Sequence, residues 1–92
     1  MSKIYLSGPI TGVPDYQDKF GRAACGLEIQ GHTVIDPSVE TEGLTPWDYI
    51  LISVARMRAT DAIFMLPGWE RSKGAQIERA IAEYVGMEVI EL

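Results

Sequence analysis

The chain has 92 residues, 47% hydrophobic and 23% charged, which suits one globular domain and excludes a disordered chain. Eight Lys and Arg against 13 Asp and Glu leave a net charge of −5, the wrong sign for a nucleic-acid binder with its basic face. One cysteine and one histidine exclude an internal disulfide and a Cys/His zinc cluster, so neither a metal nor a cofactor is expected.

The pattern alternates short apolar runs with amphipathic segments. Ile4-Tyr5-Leu6 reads as a strand, stopped by Gly8-Pro9. From Asp15 or Tyr16 to Gln30 the spacing of Phe20, Ala23, Ala24 and Leu27 predicts a helix, with Gly31 beyond its end. Thr33-Val34-Ile35 is a second strand, ended by Asp36-Pro37, and residues 38–44 read as loop. Thr45-Pro46 is an N-cap with proline in the first turn. The helix it opens reaches about Ala59, with Tyr49 or Ile50, Val54 and Met57 expected inward. Ala62-Ile63-Phe64-Met65-Leu66 is a continuous apolar run of the kind buried on both faces of a parallel sheet. A turn-rich loop follows, then a helix capped by Ser72 and ended by Gly86, then a strand from Glu88 to Leu92.

The order β-α-β-α-β-α-β implies parallel pairing through right-handed crossovers. The expected fold is a three-layer, Rossmann-like or flavodoxin-like α/β sandwich with a four-stranded parallel sheet, forming a single domain over residues 1–92. Ligands of such sheets bind beyond the carboxyl ends of the strands. That edge carries Ser7-Gly8-Pro9-Ile10-Thr11-Gly12, Asp36-Pro37 and the loop with Gly68, Trp69, Ser72 and Gly74.

Each of these segments admits two readings. The glycines and hydroxyls of residues 7–12 suit a sugar or phosphate cradle, or simply a tight turn. Ser72 and Gly74 open a helix whose free N–H groups favour anions. Glu78, placed beside a stripe of Ile77, Ile81 and Tyr84, is either a surface carboxylate paired with Lys73 or Arg79, or a partly buried one aimed at the cleft. Asp61 is a turn residue or an acid. Tyr5 can face either way, Trp47 and Trp69 can stack on a base or pack, and His32 and Cys25 read as structural.

Taken together, Tyr5-Leu6-Ser7-Gly8-Pro9-Ile10-Thr11-Gly12, Gly31-His32-Thr33-Val34-Ile35-Asp36-Pro37, Thr60-Asp61-Ala62-Ile63-Phe64-Met65-Leu66-Pro67-Gly68-Trp69 and Ser72-Lys73-Gly74-Ala75-Gln76-Ile77-Glu78-Arg79-Ala80 resemble the nucleoside 2-deoxyribosyltransferase-like superfamily. Small bacterial and phage members of it are the most similar, and the 2′-deoxynucleoside 5′-phosphate N-hydrolases are more distant. The resemblance implies cleavage of the N-glycosidic bond of a 2′-deoxynucleoside or its 5′-monophosphate, by hydrolysis or base transfer. It implies Glu78 as the nucleophile toward C1′, Tyr5 as its orienter, Ser72 and Gly74 as matches of the phosphate-binding motif, and Asp61 or Asp48 in the part of an acid. The hydrolases carry an aspartate where this chain has Ser53, and an arginine where it has Thr11. A thin core and the shared active sites of the superfamily imply a homodimer or higher homo-oligomer. The setting implied is cytoplasmic, with a small nucleoside or nucleotide as partner and neither nucleic acid nor membrane. The rival expectation is a catalytically silent module that binds a nucleotide or nucleotide-derived signal, such as a phage protein that sequesters it.

Overall fold

The structure, a computed structural model, describes residues 2–10, 13–35 and 43–91. Four strands form one sheet: β1 (Lys3–Ser7), β2 (Thr33–Ile35), β3 (Ala62–Met65) and β4 (Glu88–Glu91). Three longer helices alternate with them: α1 (Tyr16–Ile29), α2 (Pro46–Arg58) and α3 (Lys73–Val85), with a short 3₁₀ turn at Trp69–Arg71. All pairings are parallel and the strand order is β2-β1-β3-β4. This is the expected three-layer, Rossmann-like sandwich.

Side-chain alternation along β1 and β3 divides the core in two. Ile4, Leu6, Ala62 and Phe64 face α1 and pack on Phe20 and Leu27. Tyr5, Ile63 and Met65 face the opposite way, onto Met57 of α2 and Ala75 and Ala82 of α3. Both central strands are therefore buried on both faces, as the unbroken apolar run at 62–66 foretold.

The helix ends follow their sequence signals. Thr45 accepts the N–H of Asp48 while Asp48 accepts the N–H of Thr45, a reciprocal capping box. Those bonds hold the Asp48 carboxyl below its ordinary range. Ser72 Oγ accepts the N–H of Ala75 at 3.2 Å. Gly31 and Gly86 follow α1 and α3.

Two inward faces differ from expectation. On α2 the stripe turned to the core is Ile50, Ser53 and Met57, while Tyr49 and Val54 are exposed. On α3 it is Ala75, Glu78 and Ala82, and Ile77 and Tyr84 point to solvent. The physical reason is close approach. α3 lies tightly over β1 and β3, which small side chains permit and a row of Ile and Tyr would not.

Candidate active site

The chain leaves β1 for β2 on one side and returns to β3 on the other. The loops after β1 and β3 thus part at the carboxyl edge of the sheet, the topological switch point where ligands of such folds bind. Gly8 begins the first loop at the tightest spot. Leu66 N–H donates to Ser7 O at 2.7 Å, and a Cβ at Gly8 would stand 2.8 Å from Leu66 Cβ. Any side chain there would push the two loops apart. Gly68 opens the second loop at φ 89°, a left-handed conformation natural to glycine, with Pro9 against it.

Beneath this edge lies Glu78, 9% exposed. Its two oxygens are held separately. Tyr5 donates its hydroxyl to Oε2 at 2.8 Å, and Ser7 donates to Oε1 at 2.5 Å. Positions 5 and 7 share one face of β1, so strand alternation alone brings both hydroxyls to one carboxyl. A buried carboxyl is tolerable only with such partners. Two donors on a rigid strand fix its plane and leave each oxygen a second lone pair. The Tyr5 hydroxyl is fully buried, and burial, reinforced by the neighbouring Glu78 charge, pushes its pKa far above the ordinary phenol value. It remains a proton donor throughout the physiological range.

A third hydroxyl joins from α2: Ser53 Oγ lies 3.3 Å from the Tyr5 oxygen. Arg56, three residues on along the same helix face, is close enough for its charge to act on Tyr5. Of the two, Ser53 was marked in the sequence only as the position where the resembling hydrolases carry an aspartate, and Arg56 was not marked. The available signal was a serine one turn before Met57, a polar group in an inward stripe.

The other expected site residues divide. Ser7, Gly8, Pro9, Gly68 and Ser72 gather at the switch-point edge. Ser72 is half-buried, its oxygen serves the helix cap, and its proton is left for another acceptor. Gly74 lies in the first turn of α3, and a Cβ there would meet open space. Ile10 instead packs into the core on the α1 side. Trp69 carries the Arg79 guanidinium 4.5 Å from its ring centre, and Arg79 in turn reaches Glu91 of β4 at 2.7 Å. The indole is thereby fastened toward the β4 flank of α3. Thr11, Gly12, Asp36 and Pro37 lie outside the described residues.

Asp61 does not belong to this site. Its carboxyl accepts the N–H of Lys3 at 2.9 Å, at the amino edge of the sheet. Lys3 and Ser7 are four residue steps apart along β1, roughly 13 Å at ~3.3 Å per residue. It is a turn residue that ties β3 to the start of β1. Asp48, bound into the α2 cap, has a structural task as well.

Among the described residues no group of three His, Cys, Asp or Glu could hold a metal. No described helix is long and apolar enough to cross a membrane. The fold and site together define an α/β domain with a hydroxyl-bound glutamate at the switch point of a parallel sheet. Over residues 2–91 the chain matches the family described as a domain of unknown function, DUF4406, and it belongs to that family. No curated protein and no solved structure matches it significantly.

Proposed function

We propose that the protein cleaves the N-glycosidic bond of a 2′-deoxynucleoside or its 5′-monophosphate through a covalent glycosyl intermediate on Glu78. The observation that carries this reading is the buried Glu78 carboxyl, held at one oxygen by Tyr5 and at the other by Ser7. Retaining glycosidases use such a carboxylate as nucleophile toward an oxocarbenium-like centre. Tyr5 and Ser7 orient it, so that little freedom is lost when the anomeric carbon arrives. The resemblance of the motifs to the nucleoside 2-deoxyribosyltransferase-like superfamily supports the sugar and the bond. Ser72, Gly74 and the free N–H groups of the α3 N-terminus would receive the sugar 5′ end and its phosphate.

A second copy of the chain completes the proposal. Large apolar side chains stand exposed in two stripes, Trp47, Leu51 and Val54 on α2 and Ile77 and Tyr84 on α3. They flank the helices that carry Ser53 and Glu78. A homodimer through this face, in the cytoplasm, is the form we propose to be active.

The test is release of free base from deoxynucleosides and their 5′-monophosphates, with the ribonucleosides as comparison. Wild type should release base, and Glu78→Gln, which keeps the volume and one hydrogen-bonding oxygen, should lose at least ~10³-fold in kcat while melting normally. Base release by Glu78→Gln at the wild-type rate would remove the nucleophile. A raised melting temperature with a nucleotide and no product would leave only the binding function of the cleft.

A further inference from the structure

The α1 face of the sheet, opposite the one that carries Glu78, holds a groove of its own. Its volume is about 480 Å³, and it runs between α1 and the loops that follow β1 and β3. Phe20 and Leu27 of α1, Phe64 of β3 and Leu66 line it, and none of the four is more than 9% exposed. They form a recessed apolar floor, which a bare surface patch is not. Pro9 and Pro67 line it from the two loops. Apolar clefts of ~300–1,000 Å³ are the usual form of small-molecule sites.

The residues of α1 give this groove a length and a polarity. Lys19, Arg22, Ala23, Gly26 and Gln30 line it on successive turns. From Lys19 to Gln30 the helix rises roughly 16 Å at ~1.5 Å per residue. Lys19 and Arg22 stand together at one end, and no carboxylate is among the described residues that line the groove. One end of the mouth is thus positive in a chain of net charge −5. Each cation also reaches back one turn, Lys19 to Asp15 at 3.8 Å and Arg22 to Asp18 at 3.0 Å. Exposed pairs of this kind are weak, and the remaining N–H donors of both side chains stay available. The middle of the groove is wide because position 26 has no side chain: a Cβ there meets nothing within 4 Å.

We propose that this groove is a second binding site, for an elongated amphipathic anion of which a medium-chain fatty acid is the simplest. The apolar chain lies along α1 over the floor of Phe20, Leu27, Phe64 and Leu66. The carboxylate sits at the Lys19 and Arg22 end, where a guanidinium fork matches its two oxygens. Length selects an extended molecule over a compact one, and the two cations select the charged head over a neutral one. None of these residues belongs to the Glu78 cleft, so the proposal stands whether or not the protein is a glycosidase.

The experiment is calorimetric titration of the full chain with decanoate and with decanol, which has the same chain and no charge. Decanoate should bind once per chain with a Kd below ~100 μM, and decanol at least ~10-fold more weakly. Lys19→Gln combined with Arg22→Gln should reduce the affinity for decanoate to that for decanol and leave decanol unchanged. Both positions are exposed, so the double variant should fold. Gly26→Leu fills the middle of the groove and should weaken both compounds at least ~10-fold. Its melting temperature should not fall, since leucine is the better helix former and its side chain enters open space. Equal affinity for acid and alcohol would overturn the proposal, and so would decanoate binding that survives Gly26→Leu. No binding of either compound would overturn it as well. If Gly26→Leu then also lowers the mass seen by light scattering, the groove belongs to a second copy of the chain.

Discussion

At the scale of single residues, Tyr5 has two duties that can be separated. It fills the core between β1, α2 and α3, and it donates to Glu78. Tyr5→Phe keeps most of the packing and removes the donor. Glu78 then loses one of its two described hydroxyl partners, and the variant should lose ~10–100-fold in kcat, with ~1–3 kcal/mol of stability. The raised pKa of Tyr5 adds a signature that packing alone cannot give. Below its ordinary value of 10.0 the hydroxyl is protonated in folded and unfolded chains alike. Above it the unfolded chain sheds this proton and the folded chain keeps it, so folding takes up a proton and stability falls as pH rises. Phe at position 5 has no proton to shed. The stability advantage of wild type over Tyr5→Phe should therefore be constant up to about pH 10 and shrink above it, by at most ~1.4 kcal/mol per pH unit. Urea unfolding of both proteins at pH 8, 9, 10 and 11 reads this directly. A difference that stays flat across the series would mean the hydroxyl is not held protonated by the fold.

At the scale of elements, α3 shows how a buried, hydrogen-bonded carboxyl bends a sequence pattern. Its apolar residues suggest an inward stripe of Ile77, Ile81 and Tyr84, yet the buried stripe is Ala75, Glu78 and Ala82; Ile81 packs at its edge, while Ile77 and Tyr84 are exposed. A charged-type residue looks external to a pattern of periodicity, because the hydroxyls that satisfy it come from β1, some 70 positions away in sequence. Periodicity did not mark Ser53 either, whose partner is also Tyr5; only the motif resemblance drew attention to that position. What was legible is what local chemistry determines: the strands, from runs of β-rich apolar residues, and the helix ends, from Thr45, Ser72, Gly31 and Gly86. Glu78 and Tyr5 were legible as candidates because motif spacing reports which residues share an edge. Asp61 was misplaced because its position next to β3 does not tell which edge of the sheet it joins. Gly74 offers a test of the same helix. A Cβ there meets open space, and alanine in a helix is better tolerated than glycine. Gly74→Ala should hold or raise stability by ~0.4–1 kcal/mol. If the α3 N-terminus receives substrate, the added methyl should raise KM at least several-fold, with kcat less affected. A more stable variant with unchanged KM would mean that substrate does not approach this turn.

At the scale of the whole molecule, the order β2-β1-β3-β4 places one helix over one face of the sheet and two over the other. The two-helix face carries the site, and it also carries most of the apolar surface left bare. Trp47 is 75% exposed and Tyr84 92%, with Leu51 and Ile77 beside them on their helices. Single exposed apolar residues are ordinary on any surface, whereas stripes with helical spacing on two adjacent helices are not. A stable interface takes roughly 800 Å² from each partner. Aromatic residues contribute ~150–250 Å² apiece, so this face approaches that size without further change of shape. A short chain gains from this as well, because it buries only roughly 60–65% of its unfolded surface alone. Two-fold pairing through α2 and α3 would set a second chain against the two helices that carry Ser53 and Glu78. Light scattering at micromolar concentration should therefore give twice the chain mass for wild type and a single chain mass for Trp47→Glu with Leu51→Glu. Both changes are on exposed positions, so the monomer should still fold. If the active form is the dimer, it should turn substrate over at least tenfold more slowly, since the partner no longer covers the helices that carry Ser53 and Glu78. A monomeric wild type with full activity would separate the apolar stripes from the site and reserve them for a different partner.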